Sequence, residues 1–374
     1  MQAKPAAMPQ VWLVIGDKLG DNAQVDVIAE ALGWPCICKR LYFRERYILG
    51  KPRFRSSLHH IDATRSDPLA PPWPDLVITI GRRPAMAALW IRKQSAGRTK
   101  IILLNRPKRY LNQFALIIAS AQFRVPHRPN VLRLDLPLMR VDHAALASAA
   151  KHWSEPFSRF ARPLTALFVG GPTKPFIFDA KVAEQLIEKA SKTALNSGGT
   201  LYVTTSRRTP QNVVEMIHAK LPPGSILYRW DVAGSDNPYH GLLALADQFI
   251  VTGDSISMMV EVARLGKPLA IFPLPLRRDY GSKLLDRWTK LLHPAIGAEK
   301  KQRFLEPLGH LLYRLGVLRY SRDLAAFHQL FFQRGLAVPL GKPFCPYPQK
   351  APDELHKVVE RIKTLVENPK TGSQ

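Results

Sequence analysis

The chain has 374 residues, 46% of them hydrophobic and 22% charged, with a formal net charge of +25. This globular balance excludes a disordered polyelectrolyte, and the length fits two α/β domains of ordinary size better than one. The charge points to a polyanionic partner, either nucleic acid, anionic lipid or a phosphorylated small molecule, and the basic residues occur as singles and pairs with no long block, which argues against a nucleic-acid tail.

In chain order, the first ten residues lack an apolar signal core, and Val11–Ile15 (VWLVI) is a short β-rich run of strand length. It leads into Gly16-Asp17-Lys18-Leu19-Gly20-Asp21-Asn22, read as a loop, and then into a helix from Ala23 to Leu32 closed by Gly33. Cys36 and Cys38 stand in Cys-x-Cys spacing, and Cys345 is alone; without further cysteines or clustered histidines they read as reduced structural thiols. Pro74–Gly81 is a buried strand leading to a helix over Pro84–Arg92, and Ile101–Leu104 and Ala115–Ala119 read as further parallel strands. The segment from about Ala144 to Arg162 is helical and then carries Pro156 and Pro163, which places a domain boundary there: an N-terminal domain over 1–160 and a C-terminal domain over 161–374.

The second half repeats this grammar. Strand Leu164–Val169 ends in Gly170-Gly171-Pro172-Thr173-Lys174, helix Asp179–Leu195 follows, and strand Leu201–Thr205 ends in Ser206-Arg207-Arg208-Thr209 before helix Gln211–Ala219. Strands Phe249–Thr252 and Leu269–Pro273 flank one more helix. After Pro275 come basic, aromatic segments of helical pattern to about Gln333, then a terminal helix Asp353–Glu367. The fold class expected is α/β, two Rossmann-like domains facing a cleft, with C-terminal helices; open α/β sheets bind ligands beyond the carboxyl ends of their strands.

Chemistry concentrates in Thr252-Gly253-Asp254-Ser255-Ile256-Ser257-Met258-Met259-Val260-Glu261 and on to Gly266-Lys267-Pro268. Asp254, Ser255 or Ser257 can cap the helix that begins there, its N–H groups suit a diphosphate, and Glu261 can reach ribose hydroxyls. The same pattern also describes an ordinary capped helix with a solvated glutamate. Gly170 and Gly171 let backbone approach a phosphate, although the P-loop spacing is absent, and Arg207 or Arg208 can neutralise one. Solvated arginines and a plain turn remain the bland readings. Asp17 and Asp21 flank a loop at a strand's carboxyl end, as a general base toward an acceptor hydroxyl or as turn and N-cap residues. His59-His60 and the other histidines show no ligand spacing, so no metal site is expected, and without a GxGxxG fingerprint no nicotinamide cofactor is expected either.

Resemblance adds to this. The segment from Thr252 to Pro268 is similar to the donor-site helix of glycosyltransferase-B enzymes, including the undecaprenyl-linked N-acetylglucosaminyltransferase of peptidoglycan synthesis. The whole chain resembles the family named after the plant elongated-mitochondria fission protein, through GDKLGDNAQ (16–24), PDLVITIGRR (74–83), GGP (170–172), TTSRRTP (204–210), NPY (237–239) and TGDSISMMVEVARLGKP (252–268). The resemblance implies a GT-B type fold and a donor site made by Gly170, Gly171, Thr173, Ser206, Arg207, Arg208, Asp254, Ser255, Ser257, Met258 and Glu261. Asp17 and Asp21 lie in the first domain, the one expected to hold the acceptor. The chain departs from the family at Phe114–Gln122, where an acidic residue and a His-Asp pair are usual, which puts the acceptor chemistry in doubt.

The expected partners are a nucleotide-sugar donor, a lipid or glycan acceptor and an anionic membrane surface. The protein is expected to be cytoplasmic, attached peripherally to the inner face of the membrane through the basic surface of the first domain and the region from about Leu284 to Phe332, with Trp288, Phe304, Tyr313 and Tyr320 inserting. The contrasting expectation is a non-catalytic membrane scaffold of the same fold.

Overall fold

A computed structural model describes residues 8–49, 56–107, 110–123, 125, 128–173, 176–231, 236–276 and 323–367. Among them the chain forms two compact units: residues 8–140 with Asp323 and 353–367, and residues 141–276 with 324–352.

The first unit is built on β1 (Val11–Ile15), α1 (Leu19–Leu32), β2 (Cys36–Arg40), α2 (Glu45–Leu49), β3 (Leu76–Ile80), α3 (Arg82–Gln94), β4 (Lys100–Leu104), β5 (Leu116–Ser120) and β6 (Val131–Leu134). Its sheet is parallel, in the order β2-β1-β3-β4-β5-β6. The period of two explains the unbroken apolar runs. Val11, Leu13 and Ile15 point to one face, against Val25, Ile28 and Leu32 of α1, while Trp12 and Val14 point to the other, against Ala85 to Ile91 of α3.

Two local expectations change. Helix α1 begins at Leu19 rather than Ala23, since Asn22 is buried and its side-chain amide donates to the Gly16 carbonyl (2.9 Å), which folds the expected loop into a first turn. The cysteine pair lies on β2, an edge strand that leaves Ile37 44% exposed; burial pushes the Cys36 and Cys38 thiols up.

The second unit holds α4 (His143–Ser158), β7 (Leu164–Val169), α5 (Ala180–Asn196), β8 (Thr200–Thr205), α6 (Gln211–Lys220), β9 (Ile226–Tyr228), α7 (Tyr239–Leu245), β10 (Gln248–Thr252), α8 (Ile256–Arg264), β11 (Leu269–Phe272), α9 (Leu324–Gln333) and β12 (Val338–Pro339). Its strands are parallel in the order β12-β11-β10-β7-β8-β9. From β7 the chain moves outward to β8 and β9, then returns to β10 on the opposite side. The order therefore reverses between β7 and β10, where open α/β sheets bind their ligands.

The division differs from the one expected at 160/161. Helix α4 belongs to the second unit, because Trp153 lies against Gly241 of α7, where an added Cβ would sit 2.4 Å from the indole, and Phe157 stacks near Tyr202 (5.6 Å). The terminal helix α10 (Leu355–Glu367), expected with the C-terminal domain, returns to the first unit, burying Val358 and Ile362 beside α1. Arg361 donates to the Pro129 carbonyl (2.8 Å), and Glu354 accepts from the Asp135 amide (2.7 Å). Periodicity reveals that such a helix has an apolar face, and not which sheet covers it.

The aromatic segment expected at a membrane is partly accounted for: Phe327 and Phe331 of α9 are fully buried with ring centroids 5.0 Å apart, so they serve the core. Trp288, Phe304, Tyr313 and Tyr320 lie outside the described residues. No helix among the described residues is long and apolar enough to cross a membrane.

His60 supplies a test of the first unit. It is fully buried, stacked on Phe43 (5.9 Å), with Nε2–H donating to the Arg83 carbonyl (3.0 Å). Burial holds its imidazole down at about 4, with the His59 and Arg83 charges adding to the effect against the Arg83 hydrogen bond. An unfolded histidine takes its proton near pH 6.5, so this contribution is complete above that pH and is lost as the pH falls toward about 4. We expect the urea midpoint to fall between pH 7 and pH 5, and His60→Gln to flatten that slope; an equal slope in the variant would refute the assignment.

Candidate diphosphate site at the carboxyl edge of the second sheet

Three adjacent strands, β10, β7 and β8, end side by side, and the turns that follow them interlock. Gly170 N–H donates to the Thr252 hydroxyl (2.8 Å) and Gly171 N–H to Asp254 Oδ2 (2.9 Å), joining the turn after β7 to the turn after β10. Thr209 donates its hydroxyl to the Gly170 carbonyl (2.6 Å) and accepts from Ser206 N–H (2.9 Å), joining the same turn to the one after β8. Arg208 completes the link: Nη1 donates to the Thr173 hydroxyl (2.9 Å), and Nη2 stands 3.8 Å from Asp254 Oδ2.

This closeness requires glycine. A Cβ on Gly170 would lie 2.2 Å from Ser255 Oγ and 2.4 Å from Asp254 Oδ2; one on Gly171 would lie 2.2 Å from the Arg208 carbonyl oxygen. So Gly170, Gly171, Thr173, Ser206, Arg208, Asp254 and Ser255 come together, while Arg207 is exposed beside them.

The capping expected of Asp254, Ser255 or Ser257 is corrected. Ser255 occupies the N-cap position of α8, yet its side chain makes no capping hydrogen bond. Its hydroxyl turns to Asp254 Oδ2 (3.4 Å), Asp254 is committed to Gly171, and Ser257 is exposed in the first turn next to partly buried Met258. Burial raises the Asp254 carboxyl, opposed by the Thr252 hydroxyl, the Gly171 amide and the Arg208 charge. Among the described residues the first-turn amides of α8 have no side-chain acceptor, which leaves the positive end of a helix available to an anion.

Glu261, in the second turn of α8, is not a solvated glutamate. It is partly buried and accepts a hydrogen bond from the Tyr239 phenol at Oε2 (2.8 Å). Burial pushes its carboxyl up, and the phenol opposes this. Tyr239 stands in the Asn-Pro-Tyr motif, to which the sequence alone assigns no role. The available signal was chemical: a tyrosine in an apolar setting needs a partner for its hydroxyl. Lys267, in the Gly-Lys-Pro that closes the motif, donates to the Ala244 (2.7 Å) and Ala246 (2.9 Å) carbonyls at the end of α7, and burial brings its ammonium down to about 8. The motif lysine therefore ties α7 to the turn before β11.

In the first unit, Asp17 follows β1 and faces Arg83 (3.7 Å), whose guanidinium lies 4.4 Å over the Phe43 ring; Asp21 sits in the first turn of α1. Neither caps the helix, since Lys18 holds that position without a side-chain bond. At the end of β5, Gln24, Asn105, Ser120 and Leu134 line a small open cleft, with Gln122 donating to Ser120 (3.0 Å). Among the described residues no group of His, Cys, Asp and Glu is placed to hold a metal ion.

The chain is 28% identical to the mitochondrial fission protein ELM1 of Arabidopsis thaliana over 220 residues, 53% of this chain and 51% of that protein, so the match spans about half the length of the plant relative. It is 25% identical to an uncharacterized protein of Rickettsia prowazekii over 303 residues, 71% of this chain and 83% of that one. Among solved structures, a glycosyltransferase from Rickettsia africae superposes with a TM-score of 0.47 at 12% identity, covering 96% of this chain and 99% of that one. The family model described as mitochondrial fission ELM1 matches residues 20–293, well over half of the sequence, and the chain belongs to that family.

Proposed function

We propose that the second unit binds a nucleoside diphosphate sugar and that the protein transfers the sugar to a lipid or cell-surface glycan at the cytoplasmic face of a membrane. The observation that carries this reading is the uncapped N-terminus of α8, framed by two glycines that admit no side chain and by the Arg208 guanidinium. Helix amides and a forked guanidinium suit a diphosphate, and stabilising that leaving group is the main catalytic requirement of sugar transfer. Ser206, Arg207, Ser257 and Met258 would border the donor, and Glu261 would take the ribose hydroxyls. Asp17 or Asp21 would receive the proton of the acceptor hydroxyl, and the net charge of +25 would hold the protein to anionic lipid.

The test is thermal unfolding with millimolar uridine or guanosine diphosphate. A ligand at a hundred times its Kd adds about 2.7 kcal/mol to stability, so a clear rise in Tm is expected, and Glu261→Ala is expected to remove most of it. No shift with any nucleoside diphosphate would overturn the reading. A second reading, a non-catalytic scaffold, is favoured by Ala115 standing after Phe114, where the family usually carries an acidic residue, and by Ala121-Gln122 following the strand, where it usually carries a His-Asp pair. Donor hydrolysis separates the two, because a scaffold binds nucleotide without turning it over.

A further inference from the structure

The donor reading leaves Tyr239 unused, yet it is the one group among the described residues that donates to Glu261. We propose that Tyr239 is a positioning residue that aims the Glu261 carboxylate at a ribose diol and so makes the site selective for ribonucleotides. The inference rests on the proposed donor site and adds the sugar specificity of its nucleotide.

A phenol has a single hydrogen to give, so at 2.8 Å it occupies one lone pair of Oε2 and leaves the rest of the carboxylate for two vicinal hydroxyls. The phenol itself is held on three sides. Its ring packs on Phe168 (4.7 Å), which is fully buried on β7 and in turn meets Phe249 on β10 (5.5 Å). Its amide donates to Asn237 Oδ1 (3.0 Å), and its helix is tied down by Lys267. A carboxylate on a flexible side chain would lose rotamer entropy on taking up a diol; one already fixed by a rigid phenol has lost it on folding.

Besides burial, the group that acts on the ionisation of Glu261 is this phenol from α7; the other titratable or charged side chains of the two helices are the exposed His240, whose ring lies 5.6 Å from that of Tyr239, and Arg264, three residues on along α8. Burial holds the carboxyl above its usual range, and the phenol is the contact that lowers it. Ribose recognition needs the carboxylate ionised, so it weakens as the pH falls through this raised value.

The experiment compares the affinities of uridine diphosphate and 2′,3′-dideoxyuridine diphosphate by calorimetry. Two charge-assisted hydrogen bonds correspond to a ribose preference of about a hundredfold or more in the wild type. Tyr239→Phe keeps the ring and is expected to reduce the preference to a few-fold, with its pH midpoint moved upward. Combined with Glu261→Gln it should be no worse than Glu261→Gln alone. A tyrosine that only supports the fold would weaken both ligands equally and leave the pH midpoint in place.

If Tyr239→Phe does not fold, Asn237→Ala keeps the phenol but loosens its helix, and a partial loss of ribose preference is expected. A folded Tyr239→Phe, or Asn237→Ala in its place, with the wild-type preference overturns the inference while leaving the donor site standing. A wild type that binds both nucleotides equally overturns the inference together with the role of Glu261, and a wild type that binds neither overturns the donor site itself.

Discussion

Gly171→Ala is expected to abolish nucleoside diphosphate binding and to destabilise the second unit by about 1–3 kcal/mol, the usual range for forcing extra atoms into a filled space. The added methyl would stand 2.2 Å from the Arg208 carbonyl oxygen and 2.5 Å from its carbonyl carbon and Cβ, contacts that no side-chain rotation relieves. The turn after β8 cannot retreat without breaking the Thr209 bond to Gly170, and moving Gly171 breaks its amide bond to Asp254. Either shift displaces Arg208. Gly20→Ala is the matched control, since its methyl meets nothing within 4 Å and it lies in α1 of the other unit. Urea denaturation and nucleotide titration of both variants check this, and a Gly171→Ala protein that binds diphosphate normally would remove the close approach from the account.

Arg208→Ala is expected to weaken uridine diphosphate binding by about ten- to a hundredfold, the value of one charge-assisted hydrogen-bonded group at about 1.5–3 kcal/mol. Uridine itself, which carries no phosphate, should bind as before. Arg207→Ala should change either ligand by no more than a few-fold, because that side chain is exposed like Arg208 but lacks the Thr173 contact that fixes Arg208 at the site. The sequence treated the two arginines alike. The structure separates them, since Arg208 is anchored by Thr173 and faces the buried Asp254. Equal losses for uridine and its diphosphate would mean a damaged fold, and a larger effect from Arg207 would place the phosphate elsewhere.

These two arginines illustrate what the sequence discloses. Interior parallel strands such as Val11–Ile15 and Leu164–Val169 are legible because helices cover both faces and every position but Thr165 is apolar. The edge strands Cys36–Arg40 and Ile226–Tyr228 are not, because half-covered residues carry no such run. The turns that gather at the site were visible as glycine, hydroxyl and arginine clusters after strands. Their partners were not, since Asp254 reaches back 83 residues to Gly171 and Glu261 reaches 22 to Tyr239. Local rules therefore assigned Asp254 to a cap it does not make. The destinations of α4 and α10 escaped for a similar reason: an apolar helix face does not name the surface it meets.

The most direct measurement is a crystal structure of the protein grown with uridine diphosphate. The account predicts the diphosphate over the first turn of α8, within hydrogen-bonding distance of its amides and of Arg208, with the ribose hydroxyls on Glu261. A nucleotide seated away from the carboxyl edge of β7, β8 and β10, or none bound at millimolar concentration, would contradict it.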